Sequence, residues 1–194
     1  MILMDAGCQY RDYASDITRT WPCGGKFRNA QKDLYEACLN VQKFCLANVA
    51  PGISIQQLYF VMMRKMSEEL SNLGIIDRKD HETAIKPTDS ITDSLPMGHL
   101  KKLTKFCPHD VGHYLGLDVH DCPEISKHTS LEPGCVITIE PGIYIKSNDE
   151  SVPSKYRGIG IRIEDNVVVT DNGSDILSKK CPKEIEEIEK LTYK

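Results

Sequence analysis

Asp5, Asp16, His113, Glu140 and Glu164 are spread over nearly the whole 194-residue chain, and each lies in a short segment that packing alone does not explain. The segments are 4–7 (MDAG), 15–22 (SDITRTWP), 109–121 (HDVGHYLGLDVHD), 138–142 (TIEPG) and 160–165 (GIRIED). Four carboxylates and one imidazole suit a pair of hard or borderline divalent ions, with carboxylates bridging them. A fold that uses these residues together must bring both ends of the chain to one place.

The length suffices for one domain with a sizeable core, and a 40% hydrophobic content is ordinary for a globule. A net charge of −4 without a long basic block offers little to nucleic acid or an anionic membrane surface. No apolar run approaches the roughly 20 residues of a membrane span, and Met1 to Met4 carry no basic flank of the kind that opens a signal peptide. Eight cysteines without a C-x-x-C pair predict reduced, mostly buried thiols in an intracellular protein.

Residues 1–28 alternate short apolar stretches with turn residues, which predicts two strands joined by a hairpin around Cys8 to Arg11, with Asp5 and Asp16 on neighbouring strands. Asn29 reads as the N-cap of a helix whose Leu34, Ala37, Cys38, Val41, Phe44 and Cys45 recur at helical spacing until Pro51-Gly52. Ser54 caps a second helix running to Leu73 and ended by Gly74, with its Met and Phe stripe in the core. Between 77 and 105 the periodicity disappears, so that stretch is expected to be an exposed insertion with His81 and His99 in solvent. Strand-like runs follow at 135–140, 143–146 and 159–170, and a closing helix at 184–191. The expected class is α+β.

Two aspartates eleven residues apart on adjacent strands can point to one face, because side chains alternate along a strand. Taken singly, Asp5 could be a turn residue and Asp16 a turn cap. His109, His113 and His120 fall within twelve residues of a glycine-rich polar stretch that suits packing poorly. The four-residue spacing of His109 and His113 imitates a helical zinc-protease motif. However, Asp110 stands where that motif needs Glu, and Gly112 weakens a helix. Glu140 and Glu164 end apolar runs, so each requires a metal or a charged partner. For Glu164 the nearby Arg162 is the alternative to a metal.

In order along the chain, these segments resemble the pita-bread metallopeptidases, and within them the Xaa-Pro aminopeptidases (aminopeptidase P), with prolidase as close kin. The runs 15–22 and 113–121 carry most of the specificity. Residues 134–170 and 181–184 look most like the mitochondrial-type eukaryotic branch. The resemblance implies a pita-bread fold, incomplete at its N-terminal side, with residues 1–194 matching the last two-thirds to three-quarters of a catalytic domain. It implies that Asp5 holds one metal, that His113 with Glu140 holds the other, and that Asp16 and Glu164 bridge both. The metals would be two divalent ions, manganese first, with zinc or cobalt possible. It also implies that His109 and His120 face substrate and donate hydrogen bonds to it, that Glu140 shuttles a proton, and that Arg162 and Tyr144 support the ligands. The substrate would be a peptide with an Xaa-Pro N-terminus, acted on by a mitochondrial or cytoplasmic enzyme that could form a homodimer. Prolidase activity on Xaa-Pro dipeptides, or a binding module without chemistry, are the alternatives.

Overall fold

The computed structural model describes residues 1–192. β1 (Ile2–Ala6) pairs antiparallel with β4 (Ile17–Trp21), with Asp5 opposite Thr18. The short strands β2 (Gln9–Tyr10) and β3 (Tyr13–Ala14) continue the same register to the tip of the hairpin. There Arg11 and Asp12 hold φ values of 49° and 69°, the left-handed backbone that a two-residue hairpin turn needs to match the strand twist. In this register Asp5, Asp16 and Thr18 fall on one face of the ribbon.

α1 (Asn29–Ala47) starts one residue earlier than its sequence suggests. Arg28 is the N-cap, its amide donating to the Gln31 side chain at 2.9 Å, and Asn29 is already helical. α2 (Ile55–Asn72) is capped as expected. The Ser54 hydroxyl accepts from Gln57 N–H at 3.2 Å while the Gln57 side chain accepts from the Ser54 amide. Gly74, at φ 66°, ends the run. The two helices pack together through fully buried Leu34, Cys38 and Val41 on α1 and Leu58, Met62 and Met66 on α2, so the methionine stripe is core.

The stretch 77–105 is largely exposed, as expected, but it is not irregular. It forms α3 (Arg78–Ala84) and α4 (Met97–Leu103), which pack on α2 and bury Leu95, His99 and Leu103. The buried Ser67 hydroxyl of α2 sits 2.8 Å from His81 Nδ1 and 2.7 Å from His99 Nε2, and Lys102 pairs with Asp80 between the short helices. His99 is therefore a docking residue and not a solvated one. Two helices of seven residues are too short for a 3.6-residue period to show in the sequence.

The second half contributes β5 (Val136–Ile139), β6 (Gly142–Tyr144), β7 (Gly160–Arg162), β8 (Asp165–Thr170), β9 (Gly173–Ile176) and α5 (Ile185–Thr192). β5, β8 and β9 form one antiparallel sheet in that order, and β6 pairs with β7. The apolar run 159–170, read as one strand, is split at Ile163-Glu164, where the chain leaves one pairing for the next. The N-terminal hairpin joins this half through Thr20, whose hydroxyl donates to Arg162 O and accepts from Arg162 N–H, and through Glu164 N–H to Thr18 O at 3.0 Å.

A buried charge cluster ties these layers together beside Glu164. Asp165 is fully buried, and burial by itself would raise its pKa. Arg19 from β4, with Lys183 and the Ser178 hydroxyl, holds it instead at about 2. Gln42 of α1 completes the set at 2.6 Å. All eight cysteines are free thiols, but only Cys38, Cys45 and Cys107 are buried. Cys8, Cys23 and Cys122 are exposed, which corrects the expectation of mostly buried thiols.

Candidate metal centre

The five dispersed residues converge. Asp5 and Asp16 come from the shared face of the N-terminal ribbon, and Asp5 lies close enough to raise the pKa of Asp16. His113 lies on an extended segment laid against β5: Thr138 N–H donates to His113 O at 2.9 Å, and Leu115 N–H to Val136 O at 3.0 Å. Gly112 permits this approach, since a Cβ there would sit 1.9 Å from the Thr138 carbonyl oxygen. Glu140 follows β5, and Glu164 occupies the break between β7 and β8.

The imidazole of His113 is oriented by its own backbone. Nδ1 donates to the Tyr114 carbonyl at 2.9 Å, which leaves the Nε2 lone pair facing Asp16 Oδ2 and Glu140 Oε1, both at 3.5 Å. Ligand atoms of Asp16, His113 and Glu164 all lie within 4.8 Å of one another. The Thr138 hydroxyl accepts from His113 N–H at 3.1 Å and donates to Glu140 at 3.3 Å, fixing those two residues relative to each other.

Glu164 carries the strongest demand for a cation. It is 1% exposed; its Oε2 accepts from the Thr18 hydroxyl at 2.6 Å, and its Oε1 is buried with no hydrogen-bond partner among the described residues. Burial pushes its pKa up to about 8 against the help of Thr18, and the neighbouring carboxylates Glu140, Asp16 and Asp5 add to the rise. Asp16 is raised by burial and by Asp5, and Glu140 chiefly by burial. Four crowded carboxylates with one orphaned oxygen are what a divalent ion would satisfy, so the donor set fits metal.

Arg162 was the alternative partner of Glu164, and the structure sends it elsewhere. Its guanidinium pairs with Asp5, donates from Nε to the Thr18 hydroxyl at 3.1 Å, and reaches Tyr144 OH at 3.3 Å. It is linked to Glu164 through the Thr18 hydroxyl, which donates to Glu164 Oε2. Tyr144 OH in turn lies 2.9 Å from His109 Nε2, while His109 Nδ1 donates to the Asp110 carbonyl at 2.9 Å. Both ring nitrogens of His109 are therefore engaged within the chain. The ring of His120 is exposed and meets His113 edge-on, with centroids 4.3 Å apart. Thr18 and Thr138 escaped the sequence reading because a threonine in a strand carries no mark of its own, although Thr18 stands inside the informative run 15–22.

Two cavities flank the centre. Both are walled by Asp5, Asp16 and His120; one extends past Cys8 and Leu117, the other past His109, Asp110 and Lys127.

Residues 1–171 match the model of metallopeptidase family M24. The chain is 47% identical over 191 residues to Xaa-Pro aminopeptidase 3 of Rattus norvegicus, covering 98% of this chain and 35% of that protein. It is 39% identical to the mitochondrial intermediate cleaving peptidase 55 of Arabidopsis thaliana, covering 98% and 34% respectively. Among solved structures, zinc-substituted Escherichia coli aminopeptidase P in complex with product superposes with a TM-score of 0.79 at 39% identity, covering 98% of this chain and 40% of that one. An aminopeptidase from Pseudomonas aeruginosa gives 0.83 at 38% identity with the same coverage. The chain thus spans about a third of the length of the curated relatives it matches, and the α+β pita-bread fold is shared over that part. With the match running from the N-terminal ribbon through β8 and including all five converging residues, the chain belongs to metallopeptidase family M24.

Proposed function

We propose that this chain carries the dinuclear metal centre of an aminopeptidase that releases the first residue from peptides with proline in second position. The convergence of five ligand-type residues around the unpartnered, buried Oε1 of Glu164 is the observation that carries the reading. Residues 1–194 are taken as one catalytic unit, with 77–105 inserted in it. A mitochondrial location follows the Arabidopsis relative's name.

Asp5 would hold one ion, His113 with Glu140 the other, and Asp16 and Glu164 both. Two divalent ions held there, Mn(II) first with Zn(II) or Co(II) as substitutes, would supply Lewis acidity and an activated water near neutral pH. Glu140, with its pKa raised by burial, is suited to accept a proton on its carboxylate and return it to the leaving nitrogen. That transfer matters because a prolyl amide nitrogen has no hydrogen of its own and leaves as an amine only once protonated. His120, exposed at the rim of both cavities, donates to the developing oxyanion. His109 lines one of the cavities, and with Nδ1 donating to the Asp110 carbonyl its Nε2 contacts Tyr144 OH, so in addition to facing substrate it positions the Tyr144–Arg162 pair behind Asp5.

Metal analysis after dialysis against Mn(II), together with release of the first residue from Xaa-Pro-Pro, tests the reading. Two ions per chain with cleavage confined to Xaa-Pro bonds is the expected result. A folded protein that retains no metal from excess Mn(II) would overturn it.

A further inference from the structure

The cavity that runs past His109 is lined by two permanent cations, Arg162 and Lys127, among four carboxylates. Each cation is already held by one of those carboxylates: Arg162 by Asp5, and Lys127 by Asp110 in a short direct contact between Nζ and Oδ2. The backbone that carries Lys127 is fixed. The Lys127 carbonyl accepts from the Gln56 N–H in the first turn of α2 at 2.9 Å, and a few residues on Leu131 N–H donates to Ile53 O at 2.7 Å. The loop is thereby pinned to the start of α2. Asp110 is equally fixed, because its carbonyl receives His109 Nδ1–H and the next residue, Val111, accepts Glu140 N–H at 2.8 Å. Both groups are about half exposed at the mouth, 53% and 46%, so a substrate entering this cavity meets them.

The geometry points to the Asp110–Lys127 pair as a specificity determinant that masks the ammonium and sets the preference between peptide lengths. This inference rests on the aminopeptidase reading above. With Asp5, Asp16 and Glu140 committed to metal in the proposed centre, a dipeptide Xaa-Pro that brings its own carboxylate to within one residue of the scissile bond finds Lys127 already paired with Asp110 and no unpaired permanent side-chain cation lining this cavity. In a longer peptide the same position is a neutral amide. Taking a carboxylate out of water without a charged partner is unfavourable, so the pair disfavours dipeptides and leaves longer Xaa-Pro peptides untouched. Asp110→Asn removes the competing charge while keeping the shape of the side chain. Lys127 then becomes free to pair with a substrate carboxylate, at a gain of about tenfold or more for a charge-assisted hydrogen bond.

The experiment compares the Mn(II)-loaded full chain with its D110N, K127M and D110N/K127M variants on three probes: Xaa-Pro, its C-terminal amide Xaa-Pro-NH2, and Xaa-Pro-Pro. The parent is expected to favour the amide and the tripeptide over the free acid. D110N should raise kcat/KM for the free acid by about tenfold relative to the amide, mostly through KM, and the added K127M should abolish that gain. Equilibrium binding of the free acid and the amide to each protein gives the same ratio without turnover. Cleavage with a ratio of acid to amide that D110N leaves unchanged, or a parent that prefers the free acid, overturns the inference alone. Failure to bind or cleave any of the three probes overturns the proposed function and the inference with it.

Discussion

Single side chains at the centre differ in what they do, and substitution should separate them. Glu164 is buried beside three other carboxylates, so Glu164→Gln keeps the Thr18 contact but removes one negative charge from the set. Retained metal should fall sharply, measured as Mn(II) per chain after dialysis, and activity should fall with it. His120 lies at the rim, where it touches His113 only edge-on. His120→Ala should therefore keep its metal and lose turnover by about 10²–10³. A parental rate on Xaa-Pro-Pro in the His120→Ala protein would remove that residue from the mechanism. Residue types and spacing made all five converging positions readable, and for Glu140 and Glu164 a carboxylate ending an apolar run has few explanations. The direction of the Arg162 guanidinium was not readable. Position 164 lies two residues away in what reads as one strand, whereas Arg162 ends β7, Glu164 lies in the break after it, and the guanidinium reaches Asp5.

At the level of elements, the site depends on how closely the 111–115 segment lies against β5. Gly112→Ala would force a Cβ to within 1.9 Å of the Thr138 carbonyl, so the segment must move outward and carry His113 away from Glu140. Thermal or denaturant unfolding should register a loss of about 1–3 kcal/mol, with weaker metal retention. Ser54→Ala serves as the comparison: losing the cap of α2 costs about 1 kcal/mol and should leave metal binding unchanged. The insertion supplies a pH dependence. Burial lowers the pKa of His99 from its ordinary 6.5, and the charge of His81 lowers it further; Lys102 adds to this and Asp80 opposes it. The folded state thus favours neutral His99. The stability it contributes is complete above pH 6.5 and declines as the pH falls through and below that value, because the unfolded chain binds the proton more readily. Denaturation midpoints at pH 7.5 and about 5.5 should differ more in the parent than in His99→Gln. Equal differences would show that the docking of α3 and α4 does not titrate.

Across the whole molecule the candidate metal centre joins the N-terminal ribbon to the break between β7 and β8. Asp5 lies on β1, whose residues are all exposed, while Glu164 sits behind the Arg19–Asp165 cluster in the interior. An ion held by both parts stabilises the folded state and not the unfolded chain, so Mn(II) at 100 times its Kd should add about 2.7 kcal/mol. The unfolding midpoint should therefore rise with Mn(II) in the parent and much less in Glu164→Gln. An equal rise in both proteins would mean that the ion binds elsewhere.

By itself the sequence determined the class of fold, both long helices and the N-terminal hairpin, since these depend on local period and caps, and it singled out the five residues that converge at the candidate centre. It did not reveal the short helices of 77–105, the burial of His99, or the partition of the apolar run 159–170 into two strands. Those features depend on which neighbours cover a segment: seven residues are too few to show a helical period, and an apolar run shows no internal break until its two pairing partners differ. Only the tertiary structure decided that Arg162 serves Asp5, that both nitrogens of His109 are occupied, and that Lys127 is paired with Asp110. In each case the contact joins residues far apart in the chain, or turns on a side-chain direction that residue type leaves open.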